Sequence, residues 1–278
     1  RFRAEAGVEI AQTSGPASIT IDFQPQSALR RAVPTAACFV VPNVSGLNDY
    51  TQKRNTAAVD WARINRRDRV AIMVPADASP QEVRDCLHEE LAQAMGPLND
   101  LFRLSDSVFN DDNFHSVLTG FDMLMLRVHY DRDLRSGMNE AEVAARLPAI
   151  LARLNPRGQG IGGSPKQISP RAWISATESA FGARGSNRGE AAERMISLAK
   201  AQGWTDSRMA FSVFARGRAL TGRDVPAAIE AYSQAARIWR SIPGAQIHAA
   251  HVDMQLGAFA LSSGQFDTVL RLTERSIP

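Results

Sequence analysis

Polar and apolar residues alternate over Ser18-Ile19-Thr20-Ile21-Asp22-Phe23, the period of two that marks a half-buried strand. Cys38-Phe39-Val40-Val41, closed by Pro42, and residues 69–74, closed by Pro75, predict two more strands. Residues 55–66 read as a helix with Ala57, Ala58, Trp61 and Ile64 on one side. Ser79-Pro80-Gln81-Glu82 is a capping box with proline at the first helical position, so a helix is predicted over 80–95. Gly96 stops it, since a left-handed cap wants no β-carbon, and Pro97 seals the end. After a loop around 106–115, Thr119 is placed to cap a helix through Asp122, Leu126 and Tyr130. Residues 140–154 carry Val143, Leu147, Ile150, Leu151 and Leu154 at helical spacing. Residues 1–17, mixed and rich in small side chains, predict a frayed arm.

Residues 155–170 break the pattern with Pro156, Pro165, Pro170 and four glycines, and read as a linker. Gly158-x-Gly160-x-Gly162-Gly163 has no strand before it and no Gly-Lys-Ser/Thr after it, so a phosphate loop is set aside. Beyond Pro170 no alternation appears, and Ala, Leu, Arg and Gln dominate. The expected organisation is α+β: an α/β region over 1–155 with a small mixed sheet and a central helix, a linker over 156–170, and an all-α region over 171–278. A chain of 278 residues is long enough for two domains.

Composition changes this picture little. With 44% hydrophobic and 22% charged residues, buried cores are affordable in an ordinary polar surface. A net charge of +3 supplies no basic arm for phosphates, so no nucleic-acid partner is expected. No apolar run approaches the roughly 20 residues of a membrane helix, so no transmembrane segment is expected either. The first residue is Arg1, not Met, from which an earlier segment, removable as a signal peptide, is expected. Cys38 and Cys86 leave two readings open: two buried thiols in a reducing compartment, or one disulfide joining strand to helix in an exported protein. The expected location is periplasmic or otherwise exported, with the cytoplasm as the alternative.

The candidate chemistry lies in the central helix, Cys86-Leu87-His88-Glu89-Glu90-Leu91-Ala92-Gln93-Ala94-Met95-Gly96-Pro97-Leu98-Asn99-Asp100. Zinc peptidases place HExxH on a helix because residues four apart share a face, and the intervening Glu activates metal-bound water. A register starting at His88 puts Ala92 in the second ligand position and cannot chelate. A register starting at Glu89 gives Glu89-Glu90-x-x-Gln93-x-x-Gly96-x-x-Asn99. This resembles the metzincin frame HExxHxxGxxH with each histidine replaced. Ser107-Val108-Phe109 falls where metzincins have a tight turn carrying Met, and Leu118-Thr119-x-x-Asp122-x-x-x-Leu126-x-x-x-Tyr130 resembles their closing helix. The N-terminal region is similar to an uncharacterised bacterial family of exported proteins with a degenerate metzincin helix, most densely over 69–154.

The resemblance implies ligand positions at Glu89, Gln93 and Asn99 and a base position at Glu90. Zinc prefers imidazole and thiolate, whereas Gln93 and Asn99 offer neutral amide oxygens. Asp100 in place of Asn99 still leaves three oxygen donors, fewer than calcium or magnesium requires. No metal and no cofactor are therefore expected, and Glu90 has no metal-bound water to activate; it reads as a hydrogen-bonded acid on a helix whose other face holds Val83, Leu87, Leu91 and Ala94. His88 is expected on the helix surface or beside the site, and His115 and His129 have no spaced partner. Asp111-Asp112-Asn113 reads as a solvated turn, and Cys86 with His88 two residues away makes no nucleophile pair.

In the C-terminal region, Leu256-Gly257-x-x-Ala260-x-x-x-Gly264-x-Phe266-x-x-Val269 resembles a tetratricopeptide unit. Gly217-x-x-Leu220 with Ala228-x-x-x-Tyr232-x-x-Ala235 resembles another, and residues 190–202 half of an earlier one. An irregular stack of helical hairpins is the plain alternative. Such arrays bind a peptide or protein on a concave face. His248 and His251 share a helical face and read as surface residues. The expected function is a non-catalytic protein-interaction scaffold; the alternative is a metal-dependent peptidase or hydrolase using Glu90 as general base.

Overall fold

Three strands, β1 (Ile19–Gln24), β2 (Phe39–Pro42) and β3 (Val70–Pro75), form one mixed sheet in the order β1–β3–β2 in the computed structural model. The structure describes residues 2–34, 36–64, 67–110, 114–161, 167–181 and 187–277. All of β3 is buried, which explains a central strand that is apolar without alternation. β1 runs parallel to it, from Ile19 beside Val70 to Gln24 beside Pro75, and β2 runs antiparallel on its other side.

Ala71 and Met73 of β3 pack with Leu29 of α1 (Gln26–Ala32) and Leu47 of α2 (Leu47–Lys53). Neither short helix follows from the hydrophobic pattern. The start of α2 is fixed from a distance: Asp22 Oδ2 on β1 accepts from the Leu47 N–H at 2.7 Å, and a β-carbon on Gly46 would strike that carboxylate. Val70, Ile72 and Val74 pack with α3 (Pro80–Met95), through Val83, Cys86, Leu87, Leu91 and Ala94. The α3 bounds agree with the sequence reading because both halves of the Ser79/Glu82 capping box form. α4 (Gly120–His129) and α5 (Glu140–Leu154) begin with capping boxes of the same kind, Thr119/Asp122 and Asn139/Glu142.

Two expectations fail in this region. Of the range 55–66, the described residues 55–64 form no α-helix: Ala57–Val59 and Trp61–Arg63 are separate 3₁₀ turns, divided by extended Asp60, whose side chain caps the second through the Ala62 N–H. A local side-chain bond has outcompeted the helical ladder there. The frayed arm is also wrong, since Ala6 and Val8 are buried with Ala92, Met95, Met123 and Leu126. Phe2, Ala4, Ala6, Val8 and Ile10 fall on every second position, so the sequence does carry a short apolar alternation here, built largely on small side chains.

The chain divides into two compact units: residues 1–99, 107–109 and 116–164, and residues 100–106, 110–115 and 165–278. The second is helical: α6 (Arg171–Phe181), α7 (Arg188–Ala201), α8 (Ser207–Leu220), α9 (Val225–Arg240), α10 (Gln246–Ser262) and α11 (Phe266–Ser276). Each helix packs on the next along the chain. Close approach of α8 and α9 needs a glycine, because a β-carbon on Gly217 would lie 2.9 Å from the Tyr232 ring. The buried indoles are satisfied: Trp173 donates to Ser212 Oγ at 3.1 Å and Trp239 to Ser207 Oγ at 3.0 Å. Before α6, the Gln167 carbonyl and Ser169 Oγ accept from buried Arg208. Of the glycine-rich run, Pro156–Gly158 is a 3₁₀ turn, while Gly162, Gly163 and Pro165 lie outside the described residues. The whole is a mixed α+β protein with a small three-stranded sheet and a helical C-terminal region.

Candidate functional site

The metzincin-like frame lies on the second half of α3. Glu90 is 5% exposed and Gln93 8%, Glu89 is half-buried, and Asn99 and Asp100 are exposed beyond the helix end. The last two ligand-equivalent positions thus differ in setting, one buried and one in solvent. Among the described residues, no group of three or more His, Cys, Asp or Glu side chains is arranged to hold a metal ion. His88, expected near the helix surface, is half-buried, and its Nδ1 lies 3.4 Å from the Leu118 N–H in the loop before α4.

The helix terminus is built from three residues that sequence spacing did not connect. Gly96 takes φ +149°, a conformation open to glycine, and its N–H donates to the Gln93 carbonyl at 3.0 Å. The His129 ring occupies the space where a β-carbon on Gly96 would project. Arg67 Nη1 donates to the Ala94 carbonyl at 2.7 Å, and the Tyr130 hydroxyl to the Met95 carbonyl at 2.7 Å. Two of the last four carbonyls of α3, which have no helical partner, are thereby satisfied. Burial pushes the His129 pKa below its ordinary value, and the positive charge of Arg67 adds to the shift. Burial raises that of Tyr130, partly offset by Arg67. The guanidinium also stands 5.6 Å from the centre of the Trp61 ring.

Ser107-Val108-Phe109, at the position of the metzincin turn, is held by the carboxylate of Asp122 at the start of α4. Ser107 Oγ donates to Oδ1 at 2.6 Å, and Oδ2 accepts from the Val108 N–H at 3.1 Å and the Thr119 N–H at 2.8 Å. Ser107 Oγ in turn accepts from the Phe109 N–H. The Thr119-x-x-Asp122 spacing was visible in the sequence; the reach back to Ser107 was not. Cys38, beside β2, and Cys86 of α3 form a disulfide with a Cα–Cα distance of 6.0 Å.

In the helical unit, one histidine assignment needs correction: His248 is fully buried, not on the surface. Its ring stacks on Trp239 at 5.3 Å and meets Phe114 at 4.8 Å. An aromatic slot of this kind has no sequence signature when its walls lie on three separate segments. His251 also touches Phe114, and His115 directs Nε2 to the Ser105 carbonyl at 3.1 Å. Asp111, Asp112 and Asn113 lie outside the described residues.

A family model described as "Protein of unknown function (DUF2927)" matches residues 3–149, which include β1 to β3 and α3 to α4. No curated protein and no solved structure matches the chain.

Proposed function

The chain belongs to the DUF2927 family, and from that premise we propose that it is a non-catalytic protein-interaction protein with a metzincin-like frame stripped of zinc ligands. The observation that carries the reading is the end of α3. Where the frame asks for imidazoles, the chain supplies Gln93, buried, and Asn99, exposed, and the turn at Gly96 is packed by His129, Arg67 and Tyr130. Amide oxygens are weak zinc donors, and a helix end whose Ala94 carbonyl already binds the Arg67 guanidinium is a poor place for a cation.

Protein binding falls to the helical unit on this reading. The paired helices α6–α7, α8–α9 and α10–α11 begin at intervals slightly longer than the roughly 34 residues of a tetratricopeptide unit. The Gly217–Tyr232 contact supports a tetratricopeptide-like crossing. Phe266 opens the second helix of its unit, as that likeness asks, but its side chain is exposed. The partner is a protein or peptide segment. An exported location is supported by the Cys38–Cys86 disulfide, a linkage that persists in oxidising compartments.

A second reading, a hydrolase with an atypical metal site, is favoured by one observation: Glu90, at the base position of the frame, is carried inside the fold. Elemental analysis of the full chain purified without chelator separates the two, together with hydrolysis of an unfolded protein substrate. Metal well below one equivalent and no cleavage are expected. One equivalent of zinc, or cleavage that Glu90→Gln removes, would overturn the scaffold reading.

A further inference from the structure

We infer that β1 is a self-pairing edge, on which a second copy of this chain adds its own β1 antiparallel to give a continuous six-stranded sheet. β1 lies at one end of the sheet order and pairs only with β3. The carbonyls of Ser18 and Gln24 accept from the Val70 and Ala76 N–H groups. By the alternation of a strand, the backbone groups of even-numbered residues face β3, and those of Ile19, Ile21 and Phe23 face outward. Among the described residues no backbone hydrogen bond engages these outward groups. The side chains of the same three residues share a sheet face with Val70, Ile72 and Val74. Ile21 is 40% exposed and Phe23 50%, because the packing of α3 is on β3 and β2.

An open edge is normally blunted by a lysine, an internal proline, a bulge, an inward-pointing charge, a covering loop or sheer shortness. The other edge follows this rule, since β2 has four residues and ends in Pro42. β1 has no lysine, proline or bulge and is not short: Ile19-Thr20-Ile21-Asp22-Phe23-Gln24 has six residues in continuous register, and its one charge, the inward-pointing Asp22, is held by the Leu47 N–H and Gln24 Nε2. The strand is also complementary to itself. With Ile21 opposite Ile21 of the second copy, Ile19 falls opposite Phe23, and every outward N–H and C=O finds a partner in the hydrogen-bonded pairs. Thr20 then falls opposite Asp22, so no like charges meet. One face of the junction becomes an unbroken apolar strip of β-branched and aromatic pairs, the kind that stabilises adjacent strands. A two-fold axis through Ile21 makes the contact isologous and closed, so pairing stops at a dimer.

The experiment is light scattering of the full chain over a micromolar dilution series. The expected result is a reversible dimer. Ile21→Lys sets like charges opposite each other and should weaken association by about tenfold or more. Ile21→Pro deletes an outward N–H that no internal bond uses, and should give a monomer with unchanged circular dichroism. Register is read by cysteine cross-linking, with Cys38 and Cys86 already paired to each other. Under mild oxidation Ile21→Cys should form a covalent dimer and Phe23→Cys should not. Should the edge variants misfold, the two cysteine variants still decide. A monomeric wild type, a dimer that survives Ile21→Pro in the folded protein, or equal cross-linking of both cysteine variants would overturn the proposal.

Discussion

Asp122 shows how much one side chain can specify in this fold. Its carboxylate has no exposed surface and takes hydrogen bonds from Ser107 Oγ, the Val108 N–H and the Thr119 N–H. It thus caps α4 and pins a turn 14 residues upstream. Asp122→Ala strands these donors away from water, and should cost about 3–5 kcal/mol, read from urea midpoints. His129 makes a different kind of prediction. Its pKa is lowered by burial and by Arg67, so the unfolded chain takes up the proton first as pH falls. Above the unfolded value of about 6.5 the ring is neutral in both states and adds no pH dependence. Below it, stability is lost progressively until the lower folded value is passed. A His129→Gln protein should therefore show a flatter loss of stability between about pH 7 and 5 than the wild type. A variant with the wild-type slope would assign that acid sensitivity elsewhere. Gly96 was legible as a helix stop, but the ring of His129 above it was not, because a pairing 33 residues apart leaves no periodic trace.

The elements that could be read from the sequence are those whose ends are written locally. α3, α4 and α5 each start on a capping box, and β3 announces itself by an apolar run between breakers. α1 and α2, of seven residues each, could not be read, because helices so short hold only through what they pack on, here Ala71 and Met73. The Cys38–Cys86 disulfide ties the β2 end to α3 across 48 residues. In the chain-entropy account, closing a loop of that length stabilises the fold by about 4 kcal/mol. Replacing both cysteines by serine should lower the urea midpoint correspondingly, and a thiol count on the unreduced, denatured protein should give none. In the helical unit, Asp253 of α10 plays the joining part, accepting from Arg240 of α9 at 2.6 Å and Arg275 of α11 at 2.8 Å. Both arginines are half-exposed and can return to water when it is removed. Asp253→Asn should therefore cost only about 1–3 kcal/mol, less than breaking a fully buried pair.

At the scale of the whole molecule, the chain does not fold in the order in which it is written. Residues 100–106 and 110–115 lie within the family match yet belong to the helical unit, while 107–109 between them belong to the other. Two aromatic residues from these excursions complete a core whose other members begin at Trp173. Phe102 meets the Trp173 ring edge-on at 5.3 Å. Phe114 stands among Phe211, Phe214, Trp239 and His248. A hydrophobic pattern cannot assign such residues, because they sit in loops without helical or strand periodicity and their partners lie 71 residues away or more. The consequence can be measured. Phe114→Ala opens a cavity among aromatic rings that cannot collapse easily, so the helical unit should lose about 3–5 kcal/mol. Trp239, 5.0 Å from Phe114, should report the change as a red-shifted emission at lower urea than in the wild type. The sheet of the first unit does not contain Phe114 and should keep its far-ultraviolet signal through that early transition. A fragment beginning at residue 165, which lacks both aromatics, should be weaker still. If that fragment melts where the full chain does, the two phenylalanines are passengers in the core and not part of what holds it together.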